Sequence, residues 1–515
     1  MWSGTDYGWA GRDFVFASEL KALRLHPQFE AEIERRALRL LAARTYIHAP
    51  LSIYRRIFKL LPGCMVTLSA AALTQPLDRP PNEGAAGALR LDRYWSYRQV
   101  VREGLETPIS DEREAIEQLE TVLAATIKEQ SVADVPIGAF LSGGVDSSTV
   151  VALYQKYSPT TVRTYSIGFE ETGFDEAQYA RAVADHLGTV HHEHYVSVRD
   201  AQDVIPLLPH IYDEPFADSS QIPTYLVSRY ARTDVKVAMT GDGGDELFAG
   251  YRRHFLAPRY WSRISRVPGP IRSFVAGALG KIPPSIWNGA ASLVGRGDHP
   301  FLAARIQKGL RIAQSARSFD DLYPSFLDEW SLEESPAIGA ADEEFRFDLD
   351  AAPRASPAVR MMYCDAVSYL PGDILCKVDR ASMAVGLETR VPFLDHRVAA
   401  VAARIPIDFK VRGVHGKHIL REILYREVPQ ELFDRAKAGF AIPVGEWIKH
   451  DLRPWAEELL DPQRMAGEGW FDPAIVQRRW KDHLEGRRDA TPAIWAILMF
   501  QAWLREQRRP MALAA

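Results

Sequence analysis

The sequence predicts an α/β protein built on a doubly wound parallel sheet, with a large, mostly helical C-terminal part. Three observations lead there. Between about residues 110 and 240, apolar residues switch repeatedly between a spacing of two and a spacing of three to four. Two glycine-bearing turns, Ser142-Gly143-Gly144 and Gly241-Asp242-Gly243-Gly244, each follow directly on an alternating, strand-like pattern. Beyond about residue 255 strand signals fade, and spacings such as Ile494, Ile497, Leu498 and Ala502 read as helix. Strands alternating with helices imply parallel pairing, helices on both faces, and a ligand site at the carboxyl ends of the strands.

The elements follow in order. Residues 1–75 mix short apolar stretches with turns, and Pro62-Gly63 marks a turn between strands over 57–61 and 65–68. Residues 76–91, with Pro76, Pro80, Pro81, Gly84 and Gly87, read as a linker that sustains neither a helix nor a central strand. A core domain over 92–255 and a helical continuation over 256–515 come next. Ile116, Leu119, Leu123 and Ile127 recur as on a helix, and Val135, Ile137, Ala139 and Leu141 alternate as in a strand. The first glycine turn leads into a helix through Thr149, Val150, Val151, Leu153 and Tyr154. A strand over 162–169, a helix over 177–187 and a strand over 190–195 succeed it, the helix opened by Asp175 with Gln178 as its capping-box partner. A helix over 225–230 then precedes a strand through Val235, Val237 and Met239, which runs into the second glycine turn.

Composition narrows the class. At 515 residues the chain exceeds a single small binding module, and 62 Lys+Arg against 67 Asp+Glu leave a net charge of −5, the wrong sign for a nucleic-acid scaffold. The three cysteines, Cys64, Cys364 and Cys376, show no C-x-x-C spacing, which points away from disulfides and zinc and towards a reducing, cytoplasmic setting. No signal peptide or membrane-spanning run is evident.

The chemistry concentrates at the two turns. Backbone N–H groups freed by Gly143 and Gly144, followed by a helix N-terminus, make an anion cradle to which Ser142, Ser147 and Ser148 add hydroxyls. Phosphate is the natural ligand, yet no Gly-Lys-Ser/Thr follows, so this is not a Walker A loop. Asp146 inside the cradle would repel phosphates unless a cation lay between. The second turn gathers Asp242, Asp245 and Glu246 at another strand end, where buried like charges require a cation or a proton. A solvated acidic turn is the alternative reading of that cluster.

Phe140-Leu-Ser-Gly-Gly-Val-Asp-Ser-Ser148 resembles the pyrophosphate loop of the asparagine synthetase family of ATP pyrophosphatases. Further stretches agree in family order: Tyr165-Ser-Ile-Gly-Phe169, His186-Leu-Gly-Thr-Val-His-His-Glu193, Asp213-Glu-Pro215, the run from Gly241 to Tyr251, Lys377-Val-Asp-Arg-Ala-Ser-Met383, Leu387-Glu-Thr-Arg-Val-Pro-Phe-Leu-Asp395 and Gly416-Lys-His-Ile-Leu-Arg421. The resemblance implies a sheet of the ATP-pyrophosphatase (PP-loop) type. It implies ATP and Mg²⁺ as cofactors, attack of an aspartate side chain on the α-phosphate to give β-aspartyl-AMP and pyrophosphate, and displacement of AMP by ammonia. Carried onto this chain, Ser142, Gly143, Gly144, Asp146, Ser147 and Ser148 hold the pyrophosphate, and Asp146 and Asp245 share magnesium. Leu141, Ile167, Thr240 and Gly241 hold the adenosine part, and Asp242 steers or deprotonates ammonia. Lys437 steadies the departing pyrophosphate, a surface lysine being the alternative. Lys377, Asp379 and Arg380 line the acidic-substrate side, for which a structural ion pair serves nearly as well.

Residues 8–23 and 54–63 resemble the final part of a class II glutamine amidotransferase domain, an α+β fold, so residues 1–75 read as its C-terminal remnant. Its nucleophile is a cysteine at the mature N-terminus; here residue 2 is Trp2, and Cys64, internal and in an expected turn, cannot replace it. Either the chain is truncated, or it takes free ammonia or receives it from a separate glutaminase partner; a homodimer is also open. Two other readings remain. The same adenylating core could act on another carboxylate, such as a sugar acid in surface-polysaccharide assembly or a β-lactam precursor, or the fold could serve as a non-catalytic interaction subunit. Neither nucleic acid nor membrane is expected as a partner.

Overall fold

The computed structural model describes residues 4–69, 76–86, 89–169, 176–280, parts of 306–340, 355–433 and 442–508. Near the N-terminus, β1 (Asp6–Ala10), β2 (Asp13–Ala17) and β3 (Ile57–Lys59) pair antiparallel in the order β2-β1-β3. A second antiparallel sheet follows, β4 (Cys64–Leu68), β5 (Gly84–Ala86) and β6 (Leu89–Arg93), in the order β4-β6-β5. Tyr7, Trp9, Phe58 and Leu89 bury together between them.

The Pro62-Gly63 turn sends its two strands into different sheets. Gly63 has φ +70°, and a Cβ there would lie 2.2 Å from the Trp95 carbonyl oxygen, so only glycine permits this sharp crossing. The proline- and glycine-rich stretch also does more than link. Its second half forms β5 and the central strand β6, whose Leu89 and Leu91 are buried, while its prolines stay outside the strands. Local composition argued against a central strand there, and partnership with β4 overrides it. Cys64 opens β4 rather than lying in a turn; it is buried, and burial pushes its thiol up, the opposite of an activated nucleophile.

The principal sheet is fully parallel. Its strands β7 (Ile137–Phe140), β8 (Arg163–Phe169), β9 (Val190–Val196), β10 (Val237–Met239) and β11 (Glu388–Arg390) lie in the order β11-β10-β7-β8-β9. From β7 the chain winds outward through β8 to β9, then returns to place β10 on the other side of β7. The strand order therefore reverses between β7 and β10, which opens a crevice at their carboxyl ends. Strand β11 corrects the expectation that strands end near residue 255. At three residues, reading Glu-Thr-Arg on a sheet edge, it is too short and too polar to show a periodicity.

The helices obey their sequence signals. Helix Glu112–Gln130 starts where the Asp111 side chain accepts the Glu114 N–H at 2.9 Å, and it buries Ile116, Leu119, Leu123 and Ile127. Helix Ala177–Leu187 is preceded by Glu176 at the N-cap; the expected cap, Asp175, lies outside the described residues. Helix Thr491–Gln507 is buried almost all round, including Trp495 and Trp503, and packs into the core that also holds Ile167 and Ala238 of the sheet. Among the described residues no helix is long and apolar enough to cross a membrane.

Candidate functional site

The first turn closes on itself before the helix Val145–Tyr157. The Leu141 amide donates to the Tyr165 carbonyl at 3.0 Å, tying the loop to β8. Ser142 N–H donates to Ser147 Oγ at 3.2 Å, and the two hydroxyls lie 3.0 Å apart. Gly143 has φ +68°, and a Cβ there would sit 2.8 Å from the Tyr179 carbonyl carbon. The backbone thus bends as no other residue would allow, leaving Gly144 at the N-cap of the helix. Ser148 is fully buried, and its Oγ has no hydrogen-bond partner among the described residues.

The second turn meets the first. A Cβ on Gly241 would lie 2.6 Å from the Ser147 nitrogen, and one on Gly244 would lie 2.5 Å from Asp146 Oδ1, so glycine at both positions lets the loops touch. Asp146 and Asp245 consequently face one another. Lys417 lies between them, its Nζ 2.5 Å from Asp245 Oδ1 and in contact with Asp146 Oδ2. Its backbone takes φ +60°, and its N–H donates to the Phe248 carbonyl at 3.0 Å, which holds the lysine against the turn.

Sequence reasoning did not assign Lys417. It sits in the quoted Gly416-Lys-His stretch, but an ion pair spanning 271 residues leaves no spacing to read. Asp146 and Asp245 form an acidic pair whose charge Lys417 balances here; a divalent cation held by the same two carboxylates would need further oxygens, such as those of a phosphate. Among the described residues no group of three or more His, Cys, Asp or Glu stands together to hold a metal ion.

The third carboxylate solves its burial differently. Glu246 accepts the Tyr251 hydroxyl at 2.7 Å, and burial together with Asp245 pushes it up to about 8. A folded pKa above the ordinary 4.5 means that its contribution to stability is complete below about pH 4.5 and is lost as pH rises through about 8. In metal-free protein Glu246→Gln is therefore expected to flatten the pH dependence of unfolding across that window, by up to about 1.4 kcal/mol per pH unit. Urea melts of both proteins at pH 5 and 8 check this; equal slopes would refute it.

Asp242 is held up chiefly by burial and by Asp146 and Asp245, against the lowering effects of Thr240 and Lys377. Lys377 is buried and donates to Asp218 Oδ2 at 2.7 Å and Ser220 Oγ at 2.8 Å. Burial pulls its ammonium down, but Asp218 and Asp373 outweigh that and keep it charged. Those two carboxyls share a proton: Asp218 lies low, at about 2, and burial drives Asp373 well up. Neither Asp218 nor Asp373 was singled out from sequence, since a lone Asp carries no local signature.

Lys377 alone of its trio faces this cluster. Arg380 turns the other way and donates to the Ser18 carbonyl at 2.7 Å, beside Glu19 at 3.5 Å; Asp379 is raised by burial, next to Arg380. The three are not brought onto one wall: positions 377 and 380, three apart, start from nearly the same face of helix Leu375–Met383, but each charge is drawn to its own nearest partner. Lys437 lies outside the described residues. Leu141 and Thr240, just past β7 and β10, and Ile167, within β8 two residues before its end, are all buried.

Comparison with known proteins agrees with this geometry. The profile of the asparagine synthase family matches residues 118–505, and that of a glutamine amidotransferase domain matches residues 6–77. A putative glutamine-hydrolyzing asparagine synthetase of Mycobacterium tuberculosis is 31% identical over 92% of this chain and 68% of its own length. Asparagine synthetase 1 of Bacillus subtilis is 27% identical over 95% and 71%, and a putative asparagine synthetase of Methanocaldococcus jannaschii is 32% identical over 75% and 68%. With a parallel sheet, two glycine turns meeting at its reversal point and a match over most of its length, the chain belongs to the asparagine synthase family of ATP-dependent ligases.

Proposed function

We propose that the chain activates the side-chain carboxylate of aspartate with ATP, giving β-aspartyl-AMP and pyrophosphate, and that ammonia then displaces AMP to form asparagine. The observation that carries this reading is the meeting of the two turns, with Asp146 and Asp245 facing one another across the crevice.

In this reading Ser142, Gly143, Gly144, Ser147 and Ser148 hold the β- and γ-phosphates with backbone N–H groups and hydroxyls, and the buried Ser148 Oγ supplies a donor to the nucleotide. Leu141, Ile167, Thr240 and Gly241 receive the adenosine. Asp146 and Asp245 would hold Mg²⁺, which when bound neutralises charge on the phosphates. Lys417, already between those carboxylates, and Lys437 supply positive charge where pyrophosphate departs, so that the transition state gains more than the ground state. Asp242, its proton affinity raised by burial, accepts a proton from the incoming nitrogen. Lys377 offers positive charge towards an acidic acceptor.

Residues 1–75 are taken as part of an amidotransferase domain, 92–255 as the adenylating core and 256–515 as its continuation, which supplies Lys377 and Lys417. The ammonia is glutamine-derived or free. The test is ATP–pyrophosphate exchange with the full chain, Mg²⁺ and L-aspartate, run beside sugar acids. Exchange that depends on aspartate is expected; exchange only with another acid would transfer the same chemistry to that acceptor.

A further inference from the structure

The loop from Asp213 to Asp218 is held from two sides. On one side stands the N-terminal region. Glu214, 7% exposed, contacts Lys59 Nζ and accepts the Ile53 N–H at 3.1 Å. Asp213 pairs with Lys21 at 3.0 Å, and the Ala217 N–H donates to the Thr45 carbonyl at 2.8 Å. Trp503 adds a bond from its indole N–H to the Asp213 carbonyl at 2.7 Å. The grip is tight enough to hold Asp213, a non-glycine residue, at φ +62°, in the left-handed region that favours glycine.

On the other side the same loop ends in Asp218, which with Ser220 fixes the Lys377 ammonium, while the Tyr212 hydroxyl just before it donates to the Lys377 carbonyl at 3.2 Å. Lys377 in turn acts electrostatically on Asp242. Charged groups of residues 1–75 therefore reach the acceptor half of the site through one short, strained segment. The phosphate cradle is built differently, from β7, β8 and the second turn.

We propose that the Asp213–Asp218 loop is a strap through which the N-terminal region sets the place of Lys377, making Lys59 and Glu214 positioning residues for the acceptor and not for ATP. The inference rests on the acceptor-side role given to Lys377 above. Lys59→Met removes the charge holding Glu214 and leaves every residue assigned to ATP in place. In the full chain it is expected to raise the KM for aspartate about tenfold in ATP–pyrophosphate exchange, with the KM for ATP changed by less than about twofold, and Lys59→Arg is expected to restore most of the loss. A rise in both constants together, or in neither, would overturn the strap.

Hydrogen–deuterium exchange supplies a readout that does not need the reaction. Lys59→Met should speed exchange at the amides of 213–220 while leaving 142–148 protected as in the parent; unchanged exchange at 213–220 refutes the proposal. If the parent shows no aspartate-dependent exchange, the aspartate reading fails and the amide measurement alone decides the strap. Where Lys59→Met does not fold, Lys21→Met, altering a side chain 34% exposed, carries the same comparison.

Discussion

Asp146→Asn is expected to reduce acceptor-dependent AMP formation by about 100- to 1,000-fold, the scale lost when one preorganised electrostatic group is removed from a site of developing charge. The substitution keeps shape and hydrogen-bonding capacity, and Lys417 retains Asp245 as a partner, so the fold should persist. What disappears is half of the pair that would hold a divalent ion against the nucleotide. Single-turnover AMP release at saturating ATP and Mg²⁺ measures the effect. A rate equal to the parent's would mean that the meeting of the two turns has no part in the chemistry, and the reaction would have to be placed elsewhere in the molecule.

The second large effect is on stability. Lys417→Met leaves Asp146 and Asp245 facing each other with no cation between them, and breaking such a buried arrangement costs about 3–5 kcal/mol. The loss should be largest in EDTA and should be offset by millimolar Mg²⁺, which replaces the missing charge. In the parent, where the ammonium already fills that role, added Mg²⁺ should change the unfolding free energy far less. Urea melts with and without Mg²⁺ decide the matter: an equal Mg²⁺ response in parent and variant would show that the ammonium and the divalent ion do not exchange for one another between the two carboxylates.

How much of this was legible in the residues depended on range. The cradle was readable because its requirements are local: a bend at φ +68° demands Gly143, the helix start at Gly144 frees N–H groups, and the alternating residues before Leu141 announce the strand. The second turn was readable for the same reason, as was the prediction that its buried carboxylates need compensation. The form of that compensation was not readable. A proton on Glu246 depends on depth of burial and on the charge of Asp245, and Lys417 arrives from a distant helix start. Likewise Arg380 and Lys377 look equivalent in sequence, and only the neighbours of each decide that one faces Asp218 and the other Ser18. Strand β11 escaped notice because three polar residues on an edge display no pattern until β10 is set beside them.

That last strand bears on how the molecule can be divided. Val237, Ala238 and Met239 of β10 are all but inaccessible to solvent, and their outer neighbour is contributed from beyond residue 387. A fragment ending near residue 255 would present an uncapped row of amides and carbonyls flanked by apolar side chains, an invitation to stack with other copies into insoluble material. Attempts to express residues 92–255 by themselves should therefore yield inclusion bodies, and during synthesis the nascent sheet must wait for more than a hundred further residues before its rim is closed.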